Sequence, residues 1–535
     1  MPVGSTLAKV LSATTLEATR VTGCVDAVVV GSGAAGGLAA LLLTEAGLRV
    51  LVLEAGPSRG HGSVSRWLTT NAIRLLTGPL DLRSLPAPLI PIGRAALRTL
   101  GRWRQPIQSH CRPWTRAPEI FVDDLDCPYV TPRNRPFVWV RARTLGGRMV
   151  VPGHGWQYYR LGPDDFAPTD GLSPAWPLEV GELNQWYAAV ERRLKLTGEH
   201  DGLSWLPDSE LSHLLEPSAN QLALQLAIAA RWPDARSVVG RFAPPLDALE
   251  AAAMTGRLLC RQGAIAREIL VDSSGRAHGI AWIDQQSGTT ERVDAPLIFV
   301  CASTLESTRL LLLSRSPRSP HGLGAASGVL GCCLMDHIMV TAGGLAPRLA
   351  PGADREPGRC LYLPRFDARA LSRPAPGRGF GVQTYQFSSS LGGLFFAASF
   401  GEMTPRPENR VILDPKRRDA WNIPILRIEC GYNQSDLLRA REQATALREL
   451  AEIARARFTS INALPPGSAI HECGTARMGR DPSNSVLDPY NQCWEARGLY
   501  LTDGASFPSI GAHSPTLTIL ALTARACDHA IRSAR

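Results

Sequence analysis

The stretch Asp26-Ala27-Val28-Val29-Val30-Gly31-Ser32-Gly33-Ala34-Ala35-Gly36-Gly37 decides the fold. Residues 26–30 are a short apolar run of the kind that forms a buried parallel strand. The glycines at 31, 33 and 36 then space out as G-x-G-x-x-G, and residues 38–46 have a helical composition. Arg49-Val50-Leu51-Val52-Leu53-Glu54 is a second apolar run, and it ends in an acid. Strand, glycine turn, helix, strand and acid together make one βαβ unit of the dinucleotide-binding kind. Each position has a physical reason. Gly31 permits the tight turn, Gly33 lets the backbone approach a pyrophosphate, and Gly36 lets the helix pack closely on the strand. The helix start at Ala34 and Ala35 offers free N–H groups and a positive dipole end to phosphate oxygens. Glu54 stands 23 residues after Gly31, where a carboxylate accepts hydrogen bonds from ribose hydroxyls.

The rest of the chain bounds what surrounds this unit. A length of 535 residues, with 44% hydrophobic and 20% charged residues, fits two to four domain-sized units and a filled core. It does not fit a disordered or collagen-like chain. The net charge is +9, and only three basic residues are lysines: Lys9, Lys195 and Lys416. An arginine bias of that kind follows from a GC-rich genome, so the basic balance is no sign of nucleic-acid binding, and none is expected. No run of about 18 uncharged apolar residues is present, which argues against a membrane-spanning helix. Residues 1–25 contain Glu17 and no clean apolar segment, which argues against a secretory signal. The twelve cysteines are scattered without a CxxC or CxxCH pattern, so neither a zinc ribbon nor a bound c-type haem is expected, and no metal site. Reduced core thiols in a cytoplasmic protein is the resulting expectation. That includes the adjacent pair Cys332-Cys333 and Cys473, which reads as a small apolar filler.

A second group of motifs lies towards the C-terminus. They are His471-Glu472-Cys473-Gly474-Thr475-Ala476-Arg477-Met478-Gly479, Leu499-Tyr500-Leu501-Thr502-Asp503-Gly504-Ala505-Ser506-Phe507-Pro508, and Ser514-Pro515-Thr516-Leu517-Thr518-Ile519. This group resembles the C-terminal signature of the glucose–methanol–choline (GMC) oxidoreductases, and within them the bacterial branch of gluconate, fructose and glycoside dehydrogenases. Arg143-Thr144-Leu145-Gly146-Gly147-Arg148, followed by Asp165-Phe166, is similar to the family's second glycine motif under the flavin. Residues 302–313 resemble its strand-to-helix turn, Asp336-His337 its Asp-His pair, and Asn409-Arg410-Val411-Ile412-Leu413-Asp414 its substrate-domain strand. The matches run in order from residue 26 to residue 529.

The resemblance implies an α/β fold, with a Rossmann-like FAD-binding domain interleaved with a substrate domain of antiparallel sheet plus helices. Residues 20–61, 137–155, 250–345 and 471–535 would form the FAD domain. Residues 156–249 and 346–470 would form the substrate domain, and residues 62–136 a basic insertion or lid. The local pattern agrees, with strand-like runs at 410–414 and 423–430, helical spacing at 434–458, and alternating apolar runs and turns at 257–300. By the same resemblance the cofactor is FAD, held by Gly31, Gly33, Ala34, Ala35, Gly36, Glu54, Gly146, Gly147, Ala266, Asp503, Gly504, Pro515 and Thr516. Some members attach FAD through a histidine at the position of Val151, so non-covalent FAD is expected, although His154 stands close by.

The resemblance also assigns His471 as the general base, taking a hydroxyl proton while hydride leaves carbon for flavin N5. An imidazole suits that task because it titrates near neutrality. At the family's second active-site position, usually His or Asn, this chain has Ser514, preceded by His513. Serine can donate one hydrogen bond but is no base at neutral pH. Three arrangements follow: Ser514 orients the substrate oxygen, a local shift brings His513 in, or ordinary alcohol oxidation has been lost. The first is preferred, and for His513 a satisfied side chain facing away is the plainer alternative.

Residues 62–118 hold nine arginines, no lysine and one acid, Asp81. Arg94, Arg98 and Arg102 recur every four residues, as on the charged stripe of a short amphipathic helix. A solvated face is the plain reading, and contact with a partner protein, an acidic substrate or a membrane surface is the functional one. The expected activity is oxidation of a sugar, glycoside, polyol or related cyclic alcohol, with O2, a quinone or a separate redox protein as electron acceptor. The alternatives are a lyase or decarboxylase reaction on the same fold, or a flavoprotein subunit that acts only with a partner.

Overall fold

The computed structural model describes residues 25–56, 104–151, 156–168, 171, 173–347, 359–366, 379–389 and 392–534. The arginine stripe Arg94, Arg98 and Arg102, and His154, lie outside the described residues.

The opening motif folds as β1 (Ala27–Val30), α1 (Ala34–Glu45) and β2 (Val50–Glu54). Both strands are buried along their whole length, as a parallel strand covered on two faces must be. They form the centre of a five-stranded parallel sheet. Leu297–Val300 and then Leu499–Leu501 lie on the side of β1, and Leu258–Gln262 lies beside β2. Helix α1 and the last helix, Thr516–Ala534, pack against each other. Residues 264–294 form a separate three-stranded antiparallel sheet.

The second large layer is a six-stranded antiparallel sheet. Its spatial order is Arg457–Ala463, His337–Ala346, Gly392–Glu402, Phe380–Ser389, Leu361–Phe366 and Val238–Val239. The helix Gln434–Ile453 packs on its His337–Ala346 strand, burying Ala440, Ala446, Leu447 and Leu450. Its start is fixed by a capping box, in which Asn433 accepts from the Asp436 N–H and the Asp436 carboxylate accepts from the Asn433 N–H. Arg410–Arg418 and Pro424–Glu429 pair with each other as a ribbon, with single bridges from Arg410 to Cys332 and from Arg427 to Val130.

The two layers are woven more finely than the boundaries drawn from sequence. The boundary drawn after residue 345 lies inside one strand, His337–Ala346, which pairs along its length with Gly392–Glu402 and over residues 340–345 with Arg457–Ala463. Phe137 and Trp139, expected in the FAD domain, are buried in the core of that sheet with Ile338, Val340 and Phe395. Conversely, Tyr158, Phe166, Trp176, Tyr187 and Leu194 were expected in the substrate domain. They bury their side chains with Val28, Leu51 and Leu520 of the nucleotide-binding layer. The reason is packing: the helix Asn184–Leu194 lies against the last helix and is buried on one face there.

Arg241 shows how charge is handled inside. It is fully buried and donates to Asp201 at 2.8 Å, Asp208 at 3.3 Å and the Pro207 carbonyl at 2.6 Å. Replacing it by methionine, Arg241→Met, strands the Asp201 carboxylate, which is only 3% exposed, without a cation. We expect a loss of about 3–5 kcal/mol in urea unfolding of the FAD-loaded protein.

Candidate active site

The nucleotide end is built from glycine contacts. Gly31 has φ +91°, and a Cβ there would lie 2.6 Å from the Cys301 carbonyl oxygen. A Cβ on Gly36 would lie 1.9 Å from the Gly31 carbonyl oxygen, so the helix meets the turn with no room for a methyl group. Gly33 differs: a Cβ there meets nothing within 4 Å, so this glycine faces open space. It is the N-cap of α1, whose first turn has no side-chain cap and no acid. The amides around Ala34 and Ala35 therefore present their donors and the helix dipole to that opening. Gly147 (φ +56°) closes the other wall, since its Cβ would lie 3.0 Å from Gly33 Cα. The Gly146 N–H donates to Ser32 Oγ at 3.1 Å, and the Ser32 hydroxyl donates in turn to Glu54. Glu54 also accepts from the Gly56 N–H at 2.7 Å, and burial pushes its carboxyl above the usual carboxylate range. Ala266 sits half-buried on the strand Ala264–Val271, opposite Trp282. That strand follows Gly263, whose N–H donates to the Gly56 carbonyl at 2.8 Å. An open glycine, an uncapped helix start and a carboxylate at the end of β2 fit the diphosphate and ribose of FAD.

The second end of the site is a backbone sandwich. Met335 and Cys473 exchange two N–H···O bonds of 2.9 Å, along one edge of residues 471–478. Along the other edge the N–H groups of Gly474, Ala476 and Met478 donate to Gly504, Ala505 and Ser506, each at 2.9 Å. A Cβ on Gly504 would lie 2.6 Å from the Glu472 carbonyl oxygen, so the two segments touch through backbone. Asp503 caps the turn by accepting from the Ala505 N–H at 3.0 Å, and it also accepts from the Ser307 hydroxyl. Burial pushes its carboxyl up to about 6. Pro515 is buried, and Thr516 opens the last helix, which again has no acid in its first turn. Cys473 is fully buried, and burial raises its thiol well above its ordinary value. Cys332 and Cys333 are free thiols.

His471 is half-buried at the start of this sandwich. Its backbone N–H donates to Asp336 Oδ1 at 3.0 Å. Asp336 Oδ2 accepts from the N–H groups of Gly467 at 2.7 Å and Ala469 at 3.2 Å. Burial, reinforced by Glu472, pushes the Asp336 carboxyl up to about 7. The His471 ring reaches His337, with the two Nδ1 atoms 2.9 Å apart, and His337 Nε2 lies 3.1 Å from the Gly511 carbonyl oxygen. The Asp-His pair thus holds the backbone of His471 with one residue and its ring with the next.

His513 lies elsewhere. It is 1% exposed, and its Nδ1 is 2.6 Å from the Tyr362 hydroxyl. Tyr362 stacks on Tyr159 with ring centroids 4.2 Å apart. Both imidazole nitrogens are enclosed by protein, and burial pushes the ring down to about 4. Ser514, next in the chain, is half-buried and more accessible than His513. Val151 is buried in an apolar cluster with Trp114 and Phe121.

Sequence reading passed over Arg148. Its guanidinium donates to the Ile470 carbonyl at 3.1 Å, to Glu472 Oε2 at 2.6 Å and to Ser303 Oγ at 3.0 Å. It therefore grips both neighbours of His471 from the last position of the second glycine motif. Nothing local pointed to these pairings, because more than 150 residues separate each from Arg148.

Comparison with known proteins places the arrangement. Residues 405–523 match the sequence family described as GMC oxidoreductase, and residues 26–67 match an FAD binding domain. The chain is 26% identical to 2-methyl-1,2-propanediol dehydrogenase of Mycolicibacterium austroafricanum, over 95% of each chain. It is also 26% identical to paromamine 6'-oxidase of Streptomyces fradiae, over 95% of this chain and 90% of that one. Among solved structures, pyridoxine 4-oxidase from Mesorbium loti superposes with a TM-score of 0.62 at 20% identity, covering 95% of this chain and 99% of the other.

The glycine geometry makes a paired prediction. Gly36→Ala forces a methyl group onto the Gly31 carbonyl and should cost about 1–3 kcal/mol of stability in thermal unfolding, with or without FAD. A Cβ at Gly33 meets no protein atom within 4 Å, so Gly33→Ala should leave the apoprotein as stable as the parent while weakening FAD binding at least tenfold in a fluorescence titration. The fold, the glycine-lined cradle and the relatives lead to one conclusion: this chain is similar to the GMC oxidoreductases, most directly over residues 405–523, and is an FAD-dependent enzyme acting on alcohol groups.

Proposed function

We propose that the enzyme oxidises a secondary or primary hydroxyl of a sugar, glycoside, polyol or related cyclic alcohol, with His471 as the general base. The observation that carries this reading is the mounting of His471. It is the half-exposed imidazole at the seam of the two layers, with its main chain pinned by Asp336 and its ring by His337. A base held at both points loses little entropy when it meets its proton.

The alcohol binds with its hydroxyl towards His471, which removes the O–H proton as the carbinol C–H leaves as hydride and the carbonyl forms. FAD, when bound, supplies the hydride acceptor. Gly31, Gly33, Ala34, Ala35, Gly36, Glu54, Gly146 and Gly147 hold its nucleotide part. Asp503, Gly504, Pro515, Thr516 and Ala266 complete the set. Ser514 donates to the substrate oxygen and fixes its direction. His513 supports this from behind, bound to Tyr362, rather than serving as base. Attachment of FAD is non-covalent, because Val151 offers no nucleophile. The names of the two relatives, a propanediol dehydrogenase and a paromamine oxidase, favour a polyhydroxylated substrate.

The electron acceptor is O2, a quinone or a separate redox protein. The eleven described cysteines are all free thiols, which favours a reducing compartment such as the cytoplasm. No helix among the described residues is long and apolar enough to cross a membrane.

Anaerobic stopped-flow reduction with a sugar and polyol panel tests this reading. The parent should bleach with at least one member, and His471→Ala should retain FAD while slowing reduction by about 10²–10⁴-fold. No bleaching with any alcohol, or an unchanged rate in His471→Ala, would refute it. If Ser514→Asn instead creates alcohol oxidation absent from the parent, the native reaction is of another class.

A further inference from the structure

We infer that His337 sets the protonation pattern of His471, keeping its proton on Nδ1 so that Nε2 carries the lone pair that receives the substrate proton. This rests on His471 being the base, and it adds the group that makes it one.

The Gly511 carbonyl oxygen, 3.1 Å from His337 Nε2, can only accept, so Nε2 of His337 bears a hydrogen. His337 is fully buried, and burial pushes its imidazole down to about 3, so at neutral pH the ring holds a single proton. That proton is already placed on Nε2, which leaves Nδ1 of His337 as an acceptor. The 2.9 Å approach of the two Nδ1 atoms is then a hydrogen bond with His471 as donor. A neutral His471 has no second proton, so its basic nitrogen is Nε2. On taking a proton there, His471 keeps its Nδ1–H bond to a neutral acceptor, and no proton passes to His337. His337 touches no reacting atom and acts as a positioning residue.

Two further contacts hold the pair in this geometry. Asp336, adjacent in the chain, accepts the His471 N–H. The Phe400 ring packs against both imidazoles, with centroids 5.4 Å from His471 and 6.0 Å from His337. His337 lies at the start of its strand, opposite Glu402, so the sheet register itself delivers the acceptor.

The test uses holoenzyme labelled with 15N-histidine, the His471 signals being identified by their loss in His471→Asn. Solid-state NMR should show the Nδ1–H tautomer at His471 and the Nε2–H tautomer at His337. In His337→Leu the His471 ring should populate both tautomers. Flavin reduction by the fastest of glucose, fructose, sorbitol and 1,2-propanediol should slow by about 10- to 100-fold, with FAD content and substrate dissociation constant unchanged. His337→Asn, whose Oδ1 can stand in for Nδ1 as acceptor, should recover most of the rate. An Nε2–H tautomer at His471 in the parent, or parental reduction rates in His337→Leu, would overturn the inference. If His337→Leu does not accumulate as holoenzyme, the parental spectrum decides alone. If His471→Asn reduces flavin at the parental rate, it is the assignment of the base that fails, which keeps the two failures apart.

Discussion

The segment from His471 to Met478 is hydrogen-bonded along both edges, to Met335 on one side and to residues 504–506 on the other. The rest of the site depends on that double pairing. It joins the residues leading into the six-stranded sheet to the turn after the last parallel strand, so two layers built from distant stretches of chain share one backbone seam. Gly474 marks how tight the seam is: with φ +84°, a Cβ there would lie 2.1 Å from the Cys333 carbonyl oxygen. Buried backbone groups must find partners, and here each edge satisfies the other. The imidazole that emerges at the head of the seam inherits its rigidity.

What could be read in the sequence was what is local. The run from Asp26 to Glu54 declares a strand, a turn, a helix and a strand because every constraint on it acts within about thirty residues. The helix at 434–453 announces itself by its spacing and its capping residues in the same way. The candidate base could be named from its motif, but its setting could not. Membership of a core is decided by partners far along the chain. Phe137 and Trp139 look like part of the glycine-motif segment and yet bury against Val340 and Phe395. Tyr187 looks like part of the other layer and yet its hydroxyl pairs with Thr518 at 2.8 Å. Arg148 and Tyr362 carry no local mark of their roles, since each is defined by a contact more than 150 residues away.

The excess of arginine over lysine takes on a second meaning in the folded chain. Codon usage accounts for the abundance, but burial makes use of the shape. Arg160 meets Glu191 through Nε and Nη2, one nitrogen to each carboxylate oxygen, with both residues buried. Arg309 with Asp419, Arg365 with Asp165 and Arg406 with Asp436 bring further guanidinium groups onto carboxylates that are almost fully enclosed. A planar fork meets both oxygens of a carboxylate in one fixed geometry, whereas a lysine ammonium on a flexible stem acts as a point charge. These arginines therefore belong to the architecture, whatever the role of those in residues 62–103.

The grip of Arg148 has a mechanical consequence. It follows directly on a glycine turn that forms one wall of the phosphate cradle, and its guanidinium holds the residues on either side of His471. That turn and the residues flanking His471 are therefore held to each other through one guanidinium. The turn at Gly146–Gly147 and the head of the backbone seam are thereby joined by one side chain, across more than 300 residues of chain.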